Sequence, residues 1–414
     1  MIASVKILAI FVCMVILIRK RVPIGYVLLI DAALAAALFK MSPIAGLKAA
    51  GAGAFSLDTL RLVGVMILIV SMGNIMRTVG SFDKTIASLE ALLRDTRAVM
   101  AVIPAIIGLL PMPAGALMSA PLVGAVAVKT RTSPEQNTAI NFWFRHVWEY
   151  VWPLYPGVIV TAALLKVPVR NLVVVNFPLT LAAIGAGLLF CLRNVPGQHV
   201  SGAGGAVAGH VKQLVLSLLP IIVVALATVI FSVPLPCSLG AVCAALLIVH
   251  RLNRDQVKAV IRRSITAETV FLIVGVQVFQ SVIERSGAAS QVVQGFVSIR
   301  TPPGFLCLVI PCVIGLLTGA TLGFVGVTFP VLMPFFVGQP GDVAYGYVML
   351  AYGSGFVGTL LSPVHLCLTM TRDYFKANFG QVYKLLIGPA CVVIIVAILW
   401  FLFGVNPLVK RLGL

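Results

Sequence analysis

Apolar runs of about 17 to 25 residues follow one another from end to end of the chain, each long enough to cross roughly 30 Å of hydrocarbon. Only helices and closed barrels satisfy their own backbone in lipid, and runs of this length match helices. The fold class expected is therefore an all-α polytopic membrane protein. Composition agrees: 60% of the 414 residues are hydrophobic and 10% are charged, where a soluble chain carries about a quarter charged. No stretch is left for a large soluble domain. The opening MIASVKILAIFVCMVILIRKRV places its charges after its apolar core and has no small-residue cleavage site before Arg19. It reads as a retained first span with its N-terminus outside.

The net charge of +18 would suit nucleic acid, but its distribution does not. Basic residues cluster between apolar runs: Arg19 to Arg21, Arg94 and Arg97, Lys129 and Arg131, Arg251 to Arg263, Arg372 and Lys376. Orientation by positive loops leaves this pattern, and no basic stripe with interleaved aromatics accompanies it. The expected partners are lipid and a small solute, not nucleic acid. The eight cysteines lie mostly in apolar segments without a CxxC pair, so they read as packing residues, and no metal site is expected.

A repeat organises the chain. VIPAIIGLL at 102–110 and VIPCVIGLL at 309–317 share seven of nine residues at an offset of 207. Gly80 and Gly287, and Pro156 and Pro363, keep the same offset. The first repeat occupies 1–200, with spans near 2–18, 23–40 and 61–79, a broken segment at 99–128, an interrupted span at 141–165 and a last span at 171–192. SGAGGAVAG lies in a flexible linker at 201–210. The second repeat, 211–414, has spans near 211–231, 235–250 and 268–284, a broken segment at 304–337, an interrupted span at 343–370 and a last span at 385–404. Residues 81–97 form an amphipathic surface helix with Phe82, Ile86, Leu89 and Leu93 on one face.

Parity fixes the expected symmetry. If each broken segment is a re-entrant hairpin, each repeat has five spans, and an odd number inverts the second repeat. Both termini then lie outside, most of the 30 Lys and Arg face the cytoplasm, and the first hairpin opens inward, the second outward. The breaks themselves carry chemistry. Irregular backbone survives at membrane depth only inside protein or against a wet cavity. There, half-helix ends offer N–H groups to anions and carbonyls to cations.

PMPAGALMSAP together with NFWFRHVWEY resembles a family of prokaryotic membrane proteins known as domain of unknown function 401. That family is grouped with the ion transporter superfamily, alongside dicarboxylate, gluconate and sodium/proton exchange carriers. The resemblance implies a scaffold body and a mobile transport body working as an elevator. Sodium-coupled dicarboxylate members carry a Ser-Asn-Thr motif at their hairpin tips. Here the tips read Pro-Met-Pro-Ala-Gly and Thr-Gly-Ala-Thr, so the asparagine ligand is missing.

The expected substrate-binding residues are Pro111, Met112, Pro113, Ala114, Gly115 and Ser119 on the first hairpin and Thr318, Gly319, Thr321 and Gly323 on the second. Arg145, Ser362 and His365 complete the set. FRHVWEY, read as helix, puts Arg145, His146 and Glu149 on one arc. An ionisable group at that depth marks an ion or solute path, and an imidazole beside a carboxylate exchanges protons. His146, Glu149 and Thr359 are the expected ion-coupling residues. Asp31, in the second span, reads as a packing or dimer-contact residue rather than a proton carrier. Trp143, Trp148 and Trp152 read as packing and interfacial anchors.

These features lead to one expectation: a secondary active transporter of the cytoplasmic membrane, a homodimer, moving a small anionic solute by alternating access. Protons or sodium ions are the coupling ion, and no other cofactor is expected. A cation/proton exchanger of the same fold is the alternative. An enzyme is not expected, because HExxH and paired intramembrane aspartates are absent, and no GxxxxGK[ST] loop is present for ATP.

Overall fold

The computed structural model describes residues 2–110, 115–198, 207–298, 300–338 and 342–412. Among the described residues the regular structure is helical, apart from an isolated bridge between Val337 and Val343 and a bridge residue at Asp95. The first half contains α1 (Ile2–Arg19), α2 (Ile24–Leu38), α3 (Pro43–Ala54), α4 (Leu57–Thr78) and α5 (Ser81–Leu92). It continues with α6 (Thr96–Gly108), α7 (Ala116–Thr130), α8 (Pro134–Arg145), α9 (Pro156–Leu165) and α10 (Val169–Ala186), which ends in a π turn over Gly187–Cys191. The second half contains α11 (Val207–Val229), α12 (Leu235–Val249), α13 (Arg254–Ser264), α14 (Ala267–Arg285) and α15 (Ala288–Ser298). It closes with α16 (Pro303–Thr318), α17 (Thr321–Phe336), α18 (Tyr345–Leu360), α19 (Leu366–Phe375), α20 (Phe379–Phe403) and α21 (Val405–Leu412).

Local sequence sets these boundaries. Ser42, Ser56, Asp95, Ser133, Asn253, Thr266 and Asn378 each accept backbone N–H groups at the start of α3, α4, α6, α8, α13, α14 and α20. Gly80 and Gly287, both at φ 69°, turn the chain before α5 and α15. Among the described residues five helices are long and apolar enough to cross a bilayer: α4, α10 with its π turn, α11, α14 and α20. α2 and α12, with 15 residues each, reach only about 22 Å at 1.5 Å per residue. The amphipathic helix at 81–97 stops at Leu92, because Asp95 caps a new helix three residues later. Of the expected linker at 201–210, residues 207–210 belong to α11, and 201–206 lie outside the described residues. Sequence reading missed α3 and α13, whose glycines or charges hide them from an apolar-run search.

Packing gathers most helices into two groups. α2 to α4 pack with α11 to α14, with α1 joined through α2, and α6 to α10 pack with α16 to α20; the groups also touch directly, chiefly where α14 packs on α17. α5 and α15 lie between them: α5 packs on α11 and reaches α6, while α15 packs on α1 and α17. The contacts are reciprocal between the halves. α2 and α3 pack on α14, as α12 and α13 pack on α4. α9 packs on α17, as α19 packs on α7. α8 packs on α20, as α10 does on α18.

Close approach of backbones holds several of these contacts. A Cβ built on Gly25 would lie 2.5 Å from the Phe271 carbonyl, and one on Gly275 would lie 2.5 Å from the Gly25 oxygen. Small residues of this kind let apolar helices associate where lipid removes the usual hydrophobic drive.

Candidate functional site

Both broken segments are helix pairs. α6 packs on α7, and α16 packs on α17. With 13 to 16 residues each, these helices reach roughly 20 to 24 Å, short of a full crossing. The second pair turns at Gly319, whose φ of 61° is left-handed and suits glycine. Pro111, Met112, Pro113 and Ala114, between α6 and α7 in the chain, lie outside the described residues.

The interrupted span of the first half departs from the expected helix. α8 stops at Arg145, and residues 146–155 run as turns until α9 begins at Pro156. Arg145, His146 and Glu149 therefore do not share a helical arc. Unwinding is tolerated because side chains satisfy the freed carbonyls. His146 Nδ1 meets the Phe142 carbonyl at 2.6 Å, and the Thr180 hydroxyl donates to Val147 at 3.0 Å. The Tyr352 hydroxyl donates to Glu149 at 2.9 Å, and Asn176 Nδ2 donates to Tyr150 at 3.0 Å. In the second half α18 runs on to Leu360, so the equivalent unwinding is confined to 361–365.

Within the unwound stretch a buried charge cluster forms. Arg145 is 3% exposed and Glu149 is 8% exposed. Arg145 Nη1 donates to Glu149 Oε1 at 3.2 Å and to the Tyr155 hydroxyl at 2.7 Å. Tyr155 in turn donates to the Gly108 carbonyl at the end of α6. His146 Nε2 stands 3.9 Å from Glu149 Oε1 and 3.1 Å from His365 Nε2. His365 Nδ1 meets the Gly319 carbonyl at 2.9 Å. Thr321, at the start of α17, borders Gly157 and the Glu149 carboxylate.

The two breaks are built alike. Tyr155 stands immediately before α9 and holds the end of α6; His365 stands immediately before α19 and holds the end of α16. Counted back from those helix starts, Pro363 corresponds to Pro153 in the turn rather than to Pro156, the first residue of α9. Four chain breaks thus meet around one buried ion pair. Two come from the helix pairs, at the end of α6 and at Gly319, and two from the interrupted spans.

Other expected residues are nearby but engaged locally. Gly115 precedes α7, and its carbonyl accepts from Met118 at 3.0 Å. The Ser119 hydroxyl donates to Ala116 within α7 at 3.2 Å. Thr318 donates to the carbonyls of Gly315 and Ala320 and fills the space beside Gly323. Ser362 accepts from the Val364 N–H at 3.3 Å and abuts Gly319. Thr359 donates back to Gly355 at 3.0 Å and faces Gly315. Trp143 is buried and donates to the Ala183 carbonyl at 2.8 Å, a packing role.

Sequence reasoning missed Tyr155, Tyr352, Asn141 and Cys367. Tyr155 sits inside the quoted WPLYPG break and was legible there. The others depend on long-range packing: Asn141 Nδ2 donates to Ala116 at 2.9 Å, and Tyr352 reaches Glu149 across 203 residues. Buried polar atoms without a hydrogen-bond partner among the described residues collect around this break, including Asn141 Oδ1, the Tyr150 hydroxyl and the Thr161 hydroxyl. A cavity of about 680 Å³ lies elsewhere, between α5, α11 and α12, and is mostly apolar.

The sequence matches the family described as "Protein of unknown function (DUF401)" over residues 2–405. No curated protein matches the chain.

Proposed function

The chain belongs to the DUF401 family, and we propose that it is a secondary active transporter moving a small anionic solute by alternating access. The observation that carries this reading is the meeting of four chain breaks around the buried Arg145–Glu149 pair. Burying a charge is costly unless it is paired and hydrogen-bonded, and intramembrane charges concentrate at solute and ion paths. Arg145 supplies a planar donor fork suited to a carboxylate or other oxyanion. Glu149 supplies the carboxylate for the coupling ion, a proton or sodium.

The reciprocal packing of the two halves supports two inverted repeats, each with a re-entrant hairpin. The division into two packing groups supports an elevator. In it α6 to α10 and α16 to α20 move as the transport body, with α5 and α15 as connecting arms. The other group is the scaffold and the homodimer surface. In this reading the protein sits in the cytoplasmic membrane with both termini outside. Cation/proton exchange on the same fold is the second reading, favoured by His146 Nε2 facing the Glu149 carboxylate at 3.9 Å.

A thermal-shift panel of small organic and inorganic anions on purified protein tests the solute class. One or more anions should raise the melting temperature, and Glu149→Gln should change the pH dependence of uptake into proteoliposomes. Stabilisation by cations alone would favour the exchanger.

A further inference from the structure

We propose that His146, His365 and Cys367 form a binding site for a divalent transition-metal cation of the zinc type, with Glu149 placed to complete it. The proposal goes beyond solute transport and holds whether or not the chain carries an anion. It starts from the two imidazoles. His146 Nδ1 lies 2.6 Å from the Phe142 carbonyl and His365 Nδ1 lies 2.9 Å from the Gly319 carbonyl. A carbonyl oxygen only accepts, so each Nδ1 carries a hydrogen. A neutral imidazole carries one N–H, so each Nε2 presents a lone pair.

Those two lone pairs face one another at 3.1 Å. Two acceptors at that distance repel unless a cation lies between them. A tetrahedral metal with bonds of about 2.0–2.1 Å to nitrogen sets neighbouring nitrogens about 3.3 Å apart, close to the observed separation. Cys367 supplies a third donor: its sulfur and the two imidazole nitrogens all lie within 4.8 Å of one another. Glu149 Oε1 stands 3.9 Å from His146 Nε2.

The surroundings suit a metal ligand set. Donation of the second ring N–H to a backbone carbonyl is the usual way a metal-binding histidine is oriented and made more basic. Here both histidines have that support, from the end of α8 and from the tip between α16 and α17. Imidazole and thiolate donors select zinc-like ions over magnesium or calcium, which prefer oxygen. A thiolate and a carboxylate balance the two charges of the ion, with Arg145 held by Glu149 and Tyr155 alongside.

The test uses full-length protein in detergent, stripped with a chelator and titrated with Co2+ as a spectroscopic substitute for Zn2+. One Co2+ per chain is expected, with tetrahedral d–d bands and a thiolate-to-cobalt charge-transfer band, both abolished by added Zn2+. Cys367→Ser should remove the charge-transfer band, and His365→Gln should weaken binding at least about 10-fold. Melting curves establish that each variant is folded. If His365→Gln does not fold, the milder Cys367→Ser still decides the matter. Absence of stoichiometric Co2+ uptake by the wild type would overturn the proposal and leave the imidazoles sharing only a proton. An unchanged charge-transfer band in Cys367→Ser would equally overturn it, by placing the ion on another cysteine.

Discussion

Gly315 lies directly against the carbonyl of Gly355: a Cβ built on Gly315 would sit 2.1 Å from that oxygen. Gly108 stands in the same relation to Arg145, with 2.3 Å between an added Cβ and the carbonyl oxygen. Both glycines belong to the repeated VIPxxIGLL segment, so the repeat preserves a backbone contact between each hairpin and its neighbouring interrupted span. The second of these contacts fixes the end of α8, where the buried charges begin.

Gly108→Ala and Gly315→Ala should each destabilise the protein by about 1–3 kcal/mol through overpacking. Gly64, in the middle of α4, has nothing within 4 Å of an added Cβ, and Gly64→Ala should be neutral or stabilising by up to about 1 kcal/mol. Melting temperatures of the three variants check this. Equal effects at all three positions would dissociate the close contacts from stability.

Tyr155→Phe removes one hydroxyl that both accepts from Arg145 and donates to Gly108. Leaving buried polar groups unsatisfied costs about 1–3 kcal/mol each. The variant should melt lower than wild type and respond less to any stabilising anion. A melting curve and anion response identical to wild type would remove Tyr155 from the site.

Asp31 is fully buried in α2, with Cys13 of α1 alongside, and among the described residues neither carboxylate oxygen has a hydrogen-bond partner within normal geometry. Asp31→Asn keeps the shape and removes the capacity for an unpaired buried charge, whose cost is several kcal/mol. Its melting temperature should equal or exceed that of wild type. A fall of several degrees would show that the carboxylate makes a stabilising contact, for example across a dimer interface.

Glu135 lies in the first turn of α8, outside the spanning segments, and ties it to the start of α20. The Asn378 N–H donates to it at 3.0 Å and holds its pKa below the ordinary carboxylate value. A depressed folded-state pKa gives stability that is present above the unfolded pKa and lost as pH falls through the folded one. Glu135→Gln should therefore melt slightly lower than wild type near neutrality, with the gap closing in acid below the ordinary glutamate range. A gap that stays constant with pH would contradict the assignment.

Much of this architecture was legible in the sequence, because apolar run length and the VIPxxIGLL repeat are strong local signals. The paired helices at 96–130 and 303–336 follow from prolines and glycines that interrupt such runs. The site was legible only in part. Arg145, His146 and Glu149 stand out as charges in an apolar stretch, but their geometry depends on α8 unwinding at Arg145. That unwinding is made possible by Thr180, Asn176 and Tyr352, which cap carbonyls from α10 and α18. No local pattern announces those partners. The pairing of His146 with His365 spans 219 residues, and so it emerges only when the two breaks are brought together.

The central claim is that this junction of four breaks is a solute path gated by movement of one helix group. Gradient-driven uptake in proteoliposomes tests it most directly, using labelled anions chosen from the thermal-shift panel. An imposed proton or sodium gradient should drive accumulation above the equilibrium level. Arg145→Lys, which keeps the charge but loses the planar fork, should cut uptake at least about 10-fold. Identical uptake with and without a gradient, or full uptake by Arg145→Lys, would contradict it.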